Sequence, residues 1–463
     1  MKNIAVIGAG QAGLLIAHGL VLKGYGVTLF SNVTADDFLK TQRPTGTAAR
    51  FNMSLDFERE LGLDFWEEDA PKGTGVHLTF SPSDNNRLLT LCGRFKKHFF
   101  AIDLRLQSHR WMNELEARGG KIVIENITIE RLEEIAGDHD LTIVAAGRGE
   151  IHKLFKRDEE RSTYVKPQRK LTMINVLGNE MGFEGVYGTP VKFNFFAKSG
   201  EAFWVPWLHK DHGHAWSMLF EAKEGSPIDR FDGVENGDQA VEIGKQLIKD
   251  MMPWDYEWCK NMRLADENSW LIGKFTPEIR QTVGTLPSGR HVMSLGDTTM
   301  SLDPIGGEGA NNGNKMAKNL LECIIAHEDR EFDAEWMQST FEKFWDRHKW
   351  INIFNNILLE PLTKPGQELL IAQYGSTGAP DNDSPQQLIA DAFVENFDDP
   401  ATLTPAFLDM NIARDFIASV NHGKWRGIGV KGKVGIGKAQ IKQLLLRKDP
   451  GHPSTVPFEV HPT

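Results

Sequence analysis

Cysteine is scarce in this sequence, with three such residues among 463. Cys92, Cys259 and Cys323 lie far apart and form neither a Cys-x-x-Cys motif nor a disulfide framework, so the expected location is a reducing cytoplasm. Positive charge is in deficit as well. The formal net charge of -11 argues against nucleic acid as a general partner.

Long uninterrupted apolar runs are also missing. The best candidate, residues 4–22, contains a glycine motif and His18, so we expect a strand and a helix there and no membrane span. No signal peptide is expected ahead of it, because the first predicted strand begins at once. Aromatic residues, by contrast, are plentiful, and the 12 Trp and 27 Phe suit both a core and an apolar pocket.

The opening stretch of the chain carries the strongest motif. Ile4–Ile7 is a short apolar run typical of a strand buried in a parallel sheet, and Gly8-x-Gly10-x-x-Gly13 and a helical pattern follow directly. Gly8 would make the tight turn, Gly10 would admit a pyrophosphate at the helix N-terminus, and Gly13 would let the helix pack on the strand. The predicted cofactor contacts are Gly8, Gly10, Gln11, Ala12 and Gly13.

The second predicted strand, residues 26–30, ends where a dinucleotide-binding fold usually carries an acidic residue for the ribose hydroxyls. Ser31 and Asn32 stand at that position, and the nearest carboxylates are Asp36 and Asp37. We therefore expect Ser31 or Asn32 to hold the ribose, which is a departure from a simple NAD site.

A second glycine-rich stretch lies late in the chain, at residues 291–313. A predicted strand ends in Gly296-Asp297, and a glycine loop then opens a long helix that begins at Asn311. Asp297 is placed to bind a ribityl hydroxyl, while the loop amides and the helix N-terminus can face the flavin pyrimidine edge. The predicted cofactor contacts here are Asp297, Pro304, Gly307, Gly309, Ala310 and Asn311.

The rest of the sequence predicts further regions around these two motifs. Aromatic segments that alternate with polar residues after position 170 predict an antiparallel sheet, and mostly helical patterns follow the late glycine loop. In chain order the predicted regions are an FAD-binding domain (1–165, with a small substrate-side insertion near 70–100), a substrate domain (166–275), the second part of the FAD-binding domain (276–330), a helical region (331–423) and a basic, glycine-rich tail (424–463).

Two polar segments have competing interpretations. His209, His212 and His214 could suggest a metal site, but their Lys-Asp-His-Gly surroundings favour a solvated turn, and we expect no metal. The tail carries eight Lys or Arg and no acidic residue between Lys424 and Lys448. It is either a disordered, solvated segment or a docking strip for an acidic partner such as a reductase, with nucleic-acid or membrane contact as a third option.

Together, the early glycine fingerprint and the late set Gly296-Asp297, Asp303-Pro304 and Gly307-x-Gly309-Ala310-Asn311 resemble the flavoprotein aromatic-hydroxylase superfamily. Within it, residues 101–106, 115–120 and 302–311 are similar to the oxygenase component of styrene and indole monooxygenases. This resemblance covers most of residues 1–420. It implies an α/β fold with a Rossmann-like FAD-binding domain of the glutathione-reductase type, an antiparallel-sheet substrate domain and a helical C-terminal region.

The resemblance also implies a two-component enzyme. A separate NADH-dependent flavin reductase would reduce FAD and hand it over, and O2 would add to give a C4a-hydroperoxide. That reagent would epoxidise or hydroxylate an aromatic alkene, an indole or a similar apolar substrate. Further cofactor contacts are then expected at Arg43, Arg105, Ala146 and Gly147, and a homodimer is a candidate assembly.

One segment departs from the family pattern. Where the family's epoxidases carry Arg-Leu-Leu-Asn-Thr beside the flavin, this chain reads Arg43-Pro44-Thr45-Gly46-Thr47, which indicates a changed pocket wall and a substrate bulkier than styrene. The predicted catalytic residues are Arg43, Gly46 and Asn311. The predicted substrate contacts are Gly46, Ala48, Phe195, Trp204 and Ile305.

Three rival functions remain open from the sequence. A self-sufficient NAD(P)H-dependent hydroxylase would carry an Asp-Gly motif after the strand at 141–144, where this chain reads Ala145-Ala146-Gly147, and no second GxGxxG follows a strand. A flavin-dependent halogenase would carry Trp-x-Trp-x-Ile-Pro, which Trp204-Val205-Pro206-Trp207 does not match. A non-enzymatic FAD-binding protein is the third alternative.

Overall fold

The computed structural model describes residues 2–82, 86–146, 149–183 and 185–446. The strands are β1 (Asn3–Ile7), β2 (Gly26–Ser31), β3 (Ala49–Arg50), β4 (Gly73–Ser81), β5 (Leu89–Ala101), β6 (Lys121–Ile124), β7 (Leu141–Val144), β8 (Lys170–Leu177), β9 (Val191–Phe196), β10 (Gly200–His209), β11 (Gly213–Ala222), β12 (Arg263–Leu264), β13 (Trp270–Gly273), β14 (Glu278–Ile279), β15 (Val283–Thr285), β16 (His291–Ser294) and β17 (Met300–Ser301). The helices are α1 (Gln11–Leu22), α2 (Ala35–Lys40), α3 (Asn52–Glu60), α4 (Leu104–Ala117), α5 (Ile129–Asp138), α6 (Gly237–Met251), α7 (Pro253–Cys259), α8 (Glu308–His327), α9 (Ala334–Leu359), α10 (Lys364–Ala372), α11 (Pro385–Glu395), α12 (Thr404–Leu408), α13 (Met410–Val420) and α14 (Arg426–Leu446).

The chain divides into two compact units. The first comprises Met1–Glu68, Ile102–Gln168 and Phe275–Asn355, and the second comprises Asp69–Ala101, Arg169–Lys274 and Asn356–Thr463, as far as these segments are described. The helical region predicted at 331–423 is thus shared between the units rather than separate. Among the described residues, no helix is both long enough and apolar enough to cross a lipid bilayer.

A six-stranded sheet with the order β15-β16-β7-β1-β2-β6 forms the centre of the first unit. Neighbours from β16 to β6 are parallel, and β15 is antiparallel at the edge. Ala5 and Ile7 of β1 share a core cluster with Leu132 and Ile135 of α5. The predicted Rossmann-like arrangement around β1 and α1 is therefore confirmed, although the sequence did not predict α5.

The segment that follows β2 begins with the short helix α2. Thr34 accepts a hydrogen bond from the Asp37 backbone, and the Asp37 carboxylate accepts one from the Thr34 backbone, which makes a capping box for α2. Asp36 pairs with Lys40 one turn later. These local interactions stabilise the short helix and also occupy both carboxylates nearest to Ser31.

The second unit contains a sheet with the order β12-β8-β11-β10-β9-β4-β5, and β13 also pairs with β8. The pairs between β8, β11, β10 and β9 are antiparallel, as predicted for the substrate domain. The pair β4–β9 is parallel, and it is the pair through which the inserted segment that carries β4 and β5 joins the sheet. The predicted antiparallel sheet is thus confirmed except at that one pair.

A buried polar group lies between this sheet and α7. Asp255 of α7 is 2.7 Å from the Lys192 amine and accepts hydrogen bonds from Asn194 and from the Trp204 indole. Burial lowers the pKa of Lys192, and the Asp255 carboxylate opposes this shift. Since all four side chains are buried, the carboxylate is the shared acceptor that makes their burial tolerable.

The tail forms a helix over 426–446, so the interpretation as a wholly disordered segment is wrong for these residues. Glycines let α14 approach α10 closely: a Cβ at Gly432 would lie 2.3 Å from the Ile371 carbonyl oxygen, and one at Gly435 would lie 2.3 Å from the Tyr374 ring. On the outer side, Val430 and Val434 are 61% and 51% exposed. The docking-strip interpretation therefore concerns an ordered helix.

Replacing Asp255 should destabilise the second unit. In Asp255→Ala, Lys192 loses its counter-ion while it remains buried, and we expect a loss of ~3–5 kcal/mol in the free energy of unfolding. Asp250→Ala is the control, because its ion pair with Arg230 is partly exposed (side chains 39% and 35% accessible) and should be worth ~0–1 kcal/mol. Urea unfolding followed by Trp fluorescence measures both, and equal midpoints would contradict the expectation.

Candidate active site

The loop between β1 and α1 has the geometry of a phosphate-binding turn. Gly8 has φ +113°, and a Cβ there would lie 2.8 Å from the Ala145 carbonyl oxygen, while a Cβ at Gly13 would lie 2.1 Å from the Gly8 oxygen. Gly10 precedes α1 without a side-chain cap, and a Cβ there meets no atom within 4 Å. The first amides of α1 are therefore accessible to an anion such as a pyrophosphate.

Three predicted cofactor segments meet at Ala12. A Cβ at Gly296, in the turn that carries Asp297, would lie 3.0 Å from the Ala12 side chain, and one at Gly313 of α8 would lie 3.3 Å from it. Gln11 also donates a hydrogen bond to the Ala310 carbonyl oxygen at 3.4 Å. The structure thus brings the early motif, the exposed Asp297 turn and the first turns of α8 together.

The N-terminus of α8 is open in the same way. Gly307 adopts the left-handed conformation (φ +64°) immediately before the helix and supplies no side-chain cap. A Cβ at Gly309 would meet no atom within 4 Å. The residues that precede the helix, Pro304–Gly306, form a short 3-10 turn whose first amide is capped by the Asp303 carboxylate. This turn and the uncapped helix can accommodate the polar edge of a flavin.

Asn311 was predicted to be catalytic, and the structure places its side chain in a different role. Its amide oxygen accepts hydrogen bonds from the Phe51 backbone (2.9 Å) and the Ser54 hydroxyl (2.8 Å). Its amide nitrogen donates to the carbonyl oxygens of Ala49 (2.9 Å) and Gly307 (2.8 Å). Because each amide atom has two protein partners, the side chain holds β3 and α3 on α8 and does not face a substrate.

A network of buried polar side chains, which was not predicted from the sequence, continues from this region. The Arg50 guanidinium donates to Gln107 (2.7 Å) and lies 2.7 Å from Glu58, which accepts a hydrogen bond from Asn314 (3.0 Å). Asn314 in turn accepts a hydrogen bond from Gln11. Burial raises the pKa of Glu58, and the Arg50 charge opposes that rise. This network connects α4, β3, α3, α8 and α1 through side chains that are buried, except for the half-buried Gln11.

Other predicted cofactor residues are engaged with their neighbours. The Ser31 hydroxyl bonds the Val33 backbone, with its oxygen 2.7 Å from the Val33 carbonyl oxygen. Arg105 is buried in a two-pronged pair with Asp103 (2.7 Å for the shortest contact), and Ser108, one turn later on α4, donates to the Ala9 carbonyl oxygen. Arg105 is therefore near the phosphate-binding loop, but its guanidinium is already paired.

The remaining predicted positions differ in exposure. Ala146 is half-buried, and its backbone nitrogen would lie 3.1 Å from a Cβ at Gly8, whereas Gly147 lies outside the described residues. Arg43 is exposed, and Gly46 has no atom within 4 Å of a Cβ built on it. Ala48 has φ +52°, which is unusual for a residue other than glycine.

The predicted substrate contacts in the second unit point to opposite faces of its sheet. Trp204 is fully buried, donates to Asp255 at 3.2 Å and belongs to the core cluster with α6 and α7. Phe195 is half-buried and contacts Phe80 at 5.6 Å between ring centroids. Since side chains alternate along a strand, a pocket that contacts Phe195 does not contact Trp204. This location argues against Trp204 as a substrate contact. In the first unit, Ile305 is 2% exposed.

The histidine segment is not simply a solvated turn. His212 and His214 are exposed, but His209 is buried, so the solvated-turn interpretation is wrong for that residue. The His209 ring accepts hydrogen bonds from the backbones of Asp211 and His212 through Nδ1, and its Nε2 lies 2.7 Å from Asp266. His209, Asp211 and Asp266 could reach one ion by distance. Both ring nitrogens of His209 already have protein partners, which favours a structural role.

Comparison with known proteins agrees with this geometry. Residues 147–258 match the family described as "Styrene monooxygenase A putative substrate binding domain". The styrene monooxygenase StyA of Pseudomonas fluorescens is 26% identical over 409 residues, which cover 86% of this chain and 93% of that protein.

Solved structures with the same fold are flavoproteins. The flavin-dependent brominase Bmp2 aligns with a TM-score of 0.55 and 14% identity over 96% of this chain and 100% of its own. A flavoprotein/dehydrogenase from Cytophaga hutchinsonii aligns with a TM-score of 0.62 and 11% identity over 91% of this chain and 99% of its own. At such identities these structures support the fold alone.

The resemblance predicted from the sequence motifs is therefore confirmed along most of the chain. The family match at residues 147–258 includes strands β8 to β11 of the second unit. The chain is a flavin-dependent monooxygenase that is similar to styrene monooxygenase.

Proposed function

We propose that the protein is the oxygenase component of a two-component system that uses reduced FAD and O2 to oxygenate an apolar aromatic substrate. One observation carries the proposal: the uncapped N-terminal turns of α1 and α8 lie close together around Ala12. Gly10, before α1, has open space around its Cβ position, and Gly307, before α8, is in the left-handed conformation. This arrangement fits a dinucleotide whose pyrophosphate lies at α1 and whose anionic ring lies at α8.

The chemistry of oxygen transfer belongs to the bound reduced flavin, which activates O2. The contribution of the chain is to bind, orient and exclude water. In this proposal Asp297 holds the ribityl chain, the amides at 307–309 stabilise negative charge on the ring, and Asn311 fixes the backbone that presents those amides. Arg43 and Gly46 line the adjacent wall.

Electrons arrive from outside the chain in this proposal. The described residues contain one dinucleotide-binding unit, and Ala146 stands where a self-sufficient hydroxylase carries an aspartate. An NADH-dependent flavin reductase is therefore the proposed partner. The alternatives are a single-component NAD(P)H-dependent hydroxylase and a non-enzymatic FAD-binding protein.

The space at Gly46 supports a substrate bulkier than styrene. A Cβ built on Gly46 would meet no atom within 4 Å, so the asparagine that the family carries at this position would fit here. Its absence leaves open space beside the proposed flavin site. An aromatic alkene, an indole or a larger fused ring would use that space. The products would be an epoxide or a hydroxylated ring.

Replacing Asp297 should weaken cofactor binding. Asp297→Ala removes the proposed acceptor for a ribityl hydroxyl, and we expect FAD affinity to fall by ~1.5–3 kcal/mol, the scale of a hydrogen bond to a charged group. Titration of the variant with FAD, followed by flavin fluorescence, measures the effect. Asp415→Ala, an exposed position on α13, is the control and should bind FAD like the wild type. Unchanged affinity in Asp297→Ala would remove this residue from the site.

The purified protein should not oxidise NADH or NADPH by itself. It should bind oxidised FAD more weakly than reduced FAD, by about 1–2 kcal/mol, because the helix terminus favours the anionic form. Addition of a flavin reductase, FAD and NADH should start oxygen transfer, measured as product by chromatography.

Rapid substrate-stimulated NAD(P)H oxidation by the protein alone would support the single-component hydroxylase. No product with reduced FAD supplied would support a non-enzymatic protein, and a clear preference for styrene over larger rings would contradict the inference from Gly46.

The outer face of α14 is the proposed docking surface for an acidic reductase. Lys431 and Lys438 are exposed on this helix. Opposite charge accelerates encounter, so Lys431→Glu/Lys438→Glu should slow coupled turnover with an acidic reductase at low salt by roughly tenfold and flatten its salt dependence. Lys198→Glu/Lys274→Glu, with the same charge change at exposed positions elsewhere in the second unit, is the control. Identical rates and salt dependence in both double variants would leave α14 without a docking role.

A further inference from the structure

A cleft lies in the first unit where the end of α8 meets the start of α9. It has a volume of about 410 Å³, and Cys323 of α8 and Lys343 of α9 are among the residues that line it. Cys323 is roughly 22 Å along α8 from its first residue, Glu308, because an α-helix rises about 1.5 Å per residue. The cleft is therefore remote from the turn that faces the proposed flavin site.

Cys323 and Lys343 form a thiol–amine pair in this cleft. The Lys343 amine donates a hydrogen bond to the Cys323 sulfur, with 3.7 Å between Nζ and Sγ. Cys323 is 8% exposed at the cleft wall, and the Lys343 side chain is exposed. Lysine carries its amine on a flexible four-carbon stem, so the nitrogen can move closer to the sulfur. A small solute in the cleft thus meets a thiol that has a cation and a second nucleophile beside it.

The other two cysteines of the chain have a different environment. Burial raises the pKa of the Cys92 thiol to about 12, and the Asp391 carboxylate adds to the shift. Burial also raises the pKa of Cys259, with the Asp255 carboxylate as a further cause. The thiolate is the nucleophilic form of cysteine, so these two thiols are inert near neutral pH. They serve as internal references for the reactivity of Cys323.

We infer that Cys323 and Lys343 form a modification site at which hydrogen peroxide creates a covalent sulfur–nitrogen link between α8 and α9. Accessible thiolates react with peroxides to give sulfenic acids, which condense with a neighbouring nitrogen. Reduced flavin that passes two electrons to O2 without a substrate yields hydrogen peroxide, so a flavin-dependent monooxygenase encounters this oxidant. The inference goes beyond the proposed function and does not depend on it.

The reaction takes two steps. The Cys323 thiol loses its proton to solvent, and its sulfur attacks one peroxide oxygen, so that an S–O bond forms and the O–O bond breaks. The departing hydroxide takes a proton from the Lys343 ammonium group, which gives water, a sulfenic acid and a neutral amine. The amine nitrogen then attacks the sulfur, the S–O bond breaks, and a second water leaves with one proton of the amine. Sulfur is oxidised by two electrons, and the peroxide is reduced to water.

Addition of hydrogen peroxide to the full-length protein provides the direct test. After blocking of free thiols, trypsin cuts at Arg330 between the two residues, and mass spectrometry detects linked peptides. We expect the wild type to yield a linked pair that is lighter by two hydrogen atoms than the separate peptides and that a thiol reductant separates again. Lys343→Gln should instead gain oxygen at Cys323. Lys349→Gln, the same change elsewhere on α9, is the control and should form the link like the wild type.

Other results would overturn the inference. Oxygen gained at Cys323 of the wild type without a link would exclude Lys343 as the trapping nucleophile. Oxidation of Cys92 or Cys259 ahead of Cys323 would exclude the cleft as the reactive site, and so would full recovery of all three free thiols.

Thermal melting gives a second measurement, because the link closes the segment between the two residues. Peroxide-treated wild type should melt a few degrees higher than the untreated protein, and treated Cys323→Ser should show no such rise. A linked protein that melts at a lower temperature would contradict a link made from the native contact. Failure of the protein to oxygenate any substrate would refute the proposed function, while the mass and melting measurements would still decide this inference.

Discussion

The ion pair between Arg50 and Glu58 is the interaction on which the candidate site of the first unit depends. The two side chains are 0% and 3% exposed, so the transfer of their charges from water is costly. Hydrogen bonds from Arg50 to Gln107 and from Asn314 to Glu58 offset that cost. The pair is stable only while α3, α4 and α8 keep their present relation. Gln11, which bonds Asn314, extends the same constraint to the helix that would bind the pyrophosphate.

Asn311 and Asn355 are two buried asparagines that lie beside the same turn before α8. Asn311 bonds backbone atoms on both sides and immobilises the start of α8, so that the first amides of the helix are oriented before a ligand arrives. Asn355 packs against the turn, and its amide has no hydrogen-bond partner among the residues that the structure describes. The first amide therefore holds the turn in place through hydrogen bonds, whereas the second only packs against it.

The sequence predicted those parts of the fold and site that depend on local backbone geometry. Gly8, Gly10 and Gly13 lie close together at the junction of β1 and α1, and their spacing alone indicates the turn and the helix that follows. The role of Asn311 could not be predicted, because its partner Phe51 is 260 positions away. The hydrogen-bonded network through Arg50 also has no sequence motif, because its members are far apart in the sequence.

Strand patterns and composition also have limits as evidence. The alternation of apolar and polar residues shows that Phe195 and Trp204 belong to strands of a sheet. It does not show which face of the sheet each side chain is on, or which helices cover that face. The short helix α2 was readable in principle from Thr34 and Asp37, which make a capping box. The helix α14 was not predicted, because a glycine-rich, basic composition is typical of disorder and the surface of α10 that accommodates the glycines is not visible in the sequence.

The glycines of α14 carry a consequence for how the end of the chain behaves. Each glycine inside a helix costs up to about 1 kcal/mol relative to alanine, and α14 contains Gly427, Gly429, Gly432, Gly435 and Gly437. A helix of this composition would be largely unfolded in isolation. Its close approach to Ile371 on α10 and to Tyr374 just after that helix, which only glycines permit, supplies the stability that its own sequence lacks. The exposed lysines of α14 therefore form an ordered surface only while α14 packs on α10. Loss of that contact would unfold the helix and remove the surface.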